Sequence, residues 1–137
     1  LNLCQNLGVS DAVVFNGKIS DIDLATSYRN HDVFLFPSHL QSWGLAVFEA
    51  MASGCPVIVS KTAGASEVLT DGENALLVPA KSPEAIATAI ERIMKDPGLY
   101  EKLSKQGRLF VEQNISWHKY GMGMMKVFEE AMGGVTQ

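Results

Sequence analysis

Four short apolar runs punctuate the chain: Val13-Val14-Phe15, Val33-Phe34-Leu35-Phe36, Val57-Ile58-Val59 and Leu76-Leu77-Val78. Each is continuous rather than alternating, the pattern of strands covered on both faces of a parallel sheet. Between and after them the periodicity turns helical. Ser20 followed by Asp23 is a capping pair and predicts a helix to about Asn30. A second helix begins near Gly44 and stops at Gly54, where glycine takes a left-handed turn and Pro56 prevents continuation. Ser82-Pro83-Glu84 supplies an N-cap, a first-turn proline and an early acid for a third, striped with Ile86, Ala89, Ile90, Ile93 and Met94. Asp96-Pro97 repeats the signal for a fourth, with Leu99, Leu103 and Phe110 on one face. A last helix follows Trp117 and runs to about Met132. Its methionines at 122, 124, 125 and 132 are expected to pack it on the body of the protein or on a further domain.

Strands alternating with helices predict a Rossmann-like, doubly wound α/β layer, and residues 1–137 make one domain, here a partial one. The first residues, Leu1 to Gly8, read as the tail of a helix with its glycine stop, so the chain opens in mid-domain. A composition of 47% hydrophobic and 19% charged residues is that of a folded globular chain. A net charge of -4 leaves no basic excess to release counterions, which argues against nucleic acid as a partner. No apolar run approaches the roughly 18 residues of a membrane span. With no signal segment and only Cys4 and Cys55, too far apart for a zinc motif, a reduced cytoplasmic setting is expected.

The chemistry is expected in the stretch from Phe36 to Pro56, where a strand ends, a polar loop follows and a helix begins. Ligands of open α/β sheets bind where strand carboxyl ends meet helix amino-termini, since free amides and the helix dipole attract phosphate there. Gly44 has no side chain to keep a phosphate from that backbone. From Leu45 to Ala52 the only charge is Glu49, in a helix apolar on every side and therefore expected to be nearly buried. A buried carboxylate needs a hydrogen-bond partner, and helical side chains lean toward the amino-terminus, so Glu49 is aimed at the loop and suits the vicinal hydroxyls of a ribose. The competing assignment is a glutamate that caps neighbouring backbone.

Pro37-Ser38, Gln41, Gly44, Glu49-Ala50-Met51-Ala52, and Gly54 with Pro56-Val57-Ile58 together resemble the donor-site motif of the family 4 GT-B retaining glycosyltransferases. Gly64 with Glu67, Asp71-Gly72-Glu73-Asn74, Leu76-Leu77-Val78, Phe15, Gly17 and Ser116-Trp117 extend the likeness over essentially the whole chain. The resemblance implies the carboxy-terminal, donor-binding domain of a GT-B fold. Glu49 then holds the nucleotide ribose. The backbone at Trp43, Gly44 and Leu45, with Ser42 beside it, meets the donor diphosphate, and the main chain at Ile19 meets the base. The donor implied is a UDP-, GDP- or ADP-sugar, transferred with retention of configuration and without cofactor or bound metal.

Two departures matter. Gln41 stands where the family carries a glutamate that reaches the transferred sugar. It keeps the reach without the charge, which argues for altered sugar preference or rate at a catalytic position. The family's diphosphate-clamping arginine and lysine, and its amino-terminal domain for a saccharide or lipid-linked acceptor, fall before Leu1 in the pattern. The resemblance therefore implies a chain truncated at its amino-terminal edge and inactive alone, with the full-length protein cytoplasmic or peripheral at the inner membrane face. It also implies a sheet lacking strands between Val13–Phe15 and Val33–Phe36, whose open edge invites self-association. Another GT-B enzyme, such as a phosphorylase, fits the motif less well. A catalytically silent module that binds nucleotide or a partner is the alternative outside enzymes. A dinucleotide-dependent oxidoreductase is disfavoured because no G-x-G-x-x-G follows a strand. Among the other candidates, His39 reads as a solvated loop residue, Trp43 also as packing that shapes the loop, and Cys55 as a small apolar residue. Glu67 reads as structural, and Asp71–Asn74 as a turn.

Overall fold

A computed structural model describes residues 2–40 and 43–133. Three strands, β1 (Phe34–Phe36), β2 (Val57–Ser60) and β3 (Leu76–Val78), form a parallel sheet in the order β1-β2-β3. Phe34 lies opposite Val57, and Ile58 opposite Leu76. Helices α1 (Asn2–Asn6) and α2 (Asp21–Asn30) precede the sheet, and α3 (Leu45–Ala52) crosses from β1 to β2. A 3-10 turn, Gly64–Glu67, lies between β2 and β3; α4 (Pro83–Lys95), α5 (Pro97–Asn114) and α6 (Trp117–Gly133) follow.

The central strand explains why the apolar runs are unbroken. All four residues of β2 are buried. Val57 and Val59 face a cluster with Tyr28 of α2, Val47, Phe48 and Met51 of α3, and Ala65 of the 3-10 turn. Ile58, pointing the other way, joins Leu76, Val78, Ala89, Ile93 and Leu103 under α4 and the first half of α5. The second half of α5 returns to the first face through Val111. Both faces are therefore covered, as a parallel sheet requires.

The helix starts fall where the caps predicted them. The Ser20 hydroxyl accepts from the Asp23 amide at 3.2 Å and donates to the Asp23 carboxylate at 2.7 Å. Ser82 accepts from the Ala85 amide at 3.4 Å, and Asp96 from that of Leu99 at 3.0 Å. Such caps contribute about 1 kcal/mol each.

Three expectations are corrected. Val13–Phe15 forms no strand: Val14 is 80% and Phe15 63% exposed. A short apolar run becomes a strand only beside a ladder partner, and among the described residues the sheet ends at β1. Met94 does not join the α4 stripe but stands exposed, because the sheet reaches only as far round the helix as Ile86, Ala89, Ile90 and Ile93. Nor do the methionines of α6 bury it against the body: Met122, Met125 and Met132 are exposed and Met124 is half-buried, which leaves a further domain as the surface expected to cover them. No helix among the described residues is long and apolar enough to cross a membrane.

Candidate functional site

The site begins where β1 gives way to α3. Gly44 is the N-cap of α3 and sits at φ 91°, ψ 60°, in the left-handed region that favours glycine. A Cβ at this position would lie 2.8 Å from the Phe36 ring. Position 44 is thus glycine for two independent reasons, backbone conformation and space. Among the described residues no side chain caps α3, and its first turn carries no acidic residue. The positive end of the helix dipole is left for a ligand of opposite charge.

The loop ahead of Gly44 is pinned by the segment after β2. The Thr62 hydroxyl donates to the Ser38 carbonyl at 3.3 Å, and the Ala65 amide of the 3-10 turn donates to the Trp43 carbonyl at 2.8 Å. The Trp43 ring rests on that of Phe48, centroids 5.2 Å apart, which is the packing role weighed for it. The part played by Gly64–Glu67 in holding the segment ahead of α3 was not read from the sequence. A turn between two strands gives no hint of which loop its amides will face.

Along α3, Val47, Phe48, Ala50 and Met51 are buried, whereas Leu45, Glu49 and Ala52 are exposed. Glu49 is therefore not the nearly buried carboxylate expected. The helix is apolar all round, but the sheet, α2 and α5 cover only part of it, and nothing among the described residues lies over positions 45, 49 and 52. Glu49 still has a partner: the Tyr28 hydroxyl donates to its Oε2 at 3.3 Å. Tyr28 is buried, and its ring meets Phe34 edge-on at 5.4 Å. Burial, and then the Glu49 carboxylate, push the phenol up to about 12, so it remains a hydrogen-bond donor throughout the physiological range. Sequence reasoning missed Tyr28. Its signal was an aromatic four residues after Leu24 on the inner side of α2, a position whose buried hydroxyl must find an acceptor.

The remaining candidates divide. Gln41 and Ser42 lie outside the described residues. Leu45 turns its side chain outward, leaving its backbone as the relevant group. Ile19 is half-buried in the segment before α2, and no hydrogen bond or ring contact joins it to Gly44 or Glu49 among the described residues. His39 and Glu67 are exposed. Asp71 accepts from the Leu77 amide and Asn74 from the Thr70 amide, both at 2.8 Å, while Glu73 pairs with Lys102 of α5 at 2.6 Å, so that segment is a turn whose side chains serve nearby backbone and α5. Cys55 is buried, and burial pushes its thiol up to about 11, far from a nucleophile's range.

With this geometry in view, comparison with known proteins is specific. The family model "Glycosyl transferases group 1" matches residues 1–110. The D-inositol 3-phosphate glycosyltransferase of Streptomyces bingchenggensis is 35% identical over 96% of this chain and 29% of its own length. The structure of sucrose-phosphate synthase from Thermosynechococcus elongatus superposes with a TM-score of 0.85 at 34% identity, over 97% of this chain and 33% of that one. The C-terminal domain of a glycosyl transferase group 1 family protein from Francisella tularensis gives 0.76 at 30% identity, over 85% of this chain and 60% of that one. The chain spans about a third of the length of the curated relatives it matches.

Proposed function

The chain belongs to the glycosyl transferases group 1 family, and from that premise we propose that it is the donor-binding half of a retaining glycosyltransferase that uses a nucleoside-diphosphate sugar. Its fold is that of the carboxy-terminal domain of GT-B glycosyltransferases. The observation that carries the proposal is Gly44: a left-handed glycine, closed against Phe36, opens a helix at the carboxyl end of a parallel strand. The diphosphate lies on the backbone at Trp43, Gly44 and Leu45, where helix amides and dipole act together. Glu49, exposed on the same helix, accepts from the ribose hydroxyls. The main chain near Ile19 borders the base. Transfer of the hexosyl group to a saccharide or lipid-linked acceptor belongs to the whole protein, in the cytoplasm, and this chain alone is inactive.

Titration of the chain with UDP, GDP and ADP, followed by backbone amide NMR, tests the proposal. Shifts are expected at Ile19, Trp43, Gly44, Leu45 and Glu49, and the base that gives the largest is the natural one. Glu49→Ala is expected to weaken binding about 10- to 100-fold, because hydrogen bonds to a charged group contribute roughly 1.5–3 kcal/mol. Silence at millimolar nucleotide, or a Glu49→Ala chain that binds unchanged, overturns it.

Gln41 then meets the sugar rather than the nucleotide. A neutral amide there gives up about 1 kcal/mol relative to a carboxylate, enough to change which hexose is preferred. Gln41→Glu in the full-length enzyme should alter the relative rates across a panel of donor sugars. Equal ratios in the two enzymes would remove Gln41 from the sugar site.

A further inference from the structure

Three aromatic rings run from α2 along β1 toward the start of α3. Tyr28 meets Phe34 edge-on at 5.4 Å, and Phe34 stacks on Phe36 at 6.2 Å with their planes 27° apart. The ends of this row touch two different parts of the site. At one end the Tyr28 hydroxyl donates to Glu49. At the other, the Phe36 ring occupies the space that a side chain at Gly44 would need. The ribose acceptor and the phosphate-binding backbone are thus both set against one packed assembly.

We propose that Tyr28 is a positioning residue for donor binding: its phenol, backed by Phe34 and Phe36, holds the Glu49 carboxylate in register with the amino-terminus of α3, so that ribose and diphosphate are met together. This rests on the donor-binding reading above and extends it to a residue that touches neither donor nor reacting atoms.

The physical case is one of preorganisation. Glu49 lies on the exposed side of α3, where a glutamate samples several rotamers, and ordering it on ligand arrival costs conformational entropy. Tyr28 bears that cost before the ligand arrives, because its ring is already fixed by packing. Donation to Oε2 uses one carboxylate oxygen and leaves Oε1 with no partner among the described residues. A carboxylate oxygen so left can accept from ribose hydroxyls. The phenol is suited to the task. It is held protonated by burial, with Glu49 on α3 and Cys55 ahead of β2 acting in the same direction. The competing account is that Glu49 merely satisfies a buried hydroxyl, which would make the bond a matter of stability alone.

A double-mutant cycle separates the two. Dissociation constants for UDP, GDP and ADP are measured on the unaltered chain, Tyr28→Phe, Glu49→Ala and the double variant, with a thermal melt of each. Phenylalanine keeps the ring and its packing, and Glu49 is exposed enough to be solvated once the phenol is gone, so the fold persists. The expected result is a 3- to 10-fold weaker affinity for Tyr28→Phe, about the worth of one hydrogen bond, and no further loss when it is added to Glu49→Ala. An equal loss in both backgrounds, tracking the melting temperature, assigns Tyr28 to structure and overturns the inference, as does no loss at all. If the unaltered chain binds none of the three nucleotides, the donor-binding reading itself fails, and that failure appears before any variant is compared.

Discussion

Gly44→Ala is expected to lower the melting temperature by roughly 10 °C and to remove nucleotide binding. An alanine held at a φ of 91° pays for a left-handed backbone, a penalty of about 1–2 kcal/mol. Its Cβ would also arrive 2.8 Å from the Phe36 ring, and relieving such overpacking costs roughly 1–3 kcal/mol more. For a chain of 137 residues each kcal/mol is worth about 3–4 °C. Function suffers more than stability, because either relaxation, a turned backbone or a displaced ring, moves the amides that meet the diphosphate. A second substitution divides the two costs. Phe36→Leu in the Gly44→Ala background should return the steric part of the melting temperature but not the conformational part, and should not restore binding. A Gly44→Ala chain that melts and binds like its parent would leave the site without its foundation.

Met51→Ala should be nearly as costly, and for a reason that lies beneath the site. Met51 is 1% exposed on the inner side of α3. Its side chain lies over Gly107 of α5, with the terminal methyl carbon 3.6 Å from where a Cβ would stand. The Asn74 carbonyl, at 3.2 Å, limits the same position from another side. The two helices come this close because α5 has no side chain at 107 and a flexible methionine fills the remaining gap. Truncation leaves a void that Gly107 cannot fill, at a cost of about 2–5 kcal/mol. Met51→Leu conserves volume and should cost less than about 1.5 kcal/mol. Urea or thermal unfolding of the three chains provides the comparison. Since α3 carries both Gly44 and Glu49, nucleotide affinity should fall in the alanine variant and persist in the leucine one. Identical melting of the two variants would rule out the cavity as the cause.

Much of this protein was legible because its signals are local. Ser20, Ser82 and Asp96 each bond an amide three residues on, so the helix starts they mark depend on nothing distant. Gly54 adopts the left-handed backbone that its place at the end of α3 called for, whereas the left-handed conformation of Gly44 was not read from the sequence. The runs at 57–59 and 76–78 are apolar on both faces because both faces are covered, whereas in the run at 34–36, on the edge of the sheet, Leu35 stays exposed. The motif that spans them was sufficient to imply the family.

What tertiary structure alone decided is partnership. Val13–Phe15 carries the same apolar signature as the three strands but has no strand to pair with among the described residues, so it is not one of them. Glu49 sits in a helix whose composition implied burial, yet exposure depends on which surfaces arrive, and none of the described residues covers that side. Met94, Met122, Met125 and Met132 are exposed for the same reason. The Tyr28–Glu49 bond joins residues 21 positions apart, and the Phe36 ring reaches Gly44 only after the chain has turned from β1 into α3. Sequence fixes what each residue can do within a turn or two of itself. Which distant group it meets, and whether water is excluded there, follows from how the sheet and helices pack together.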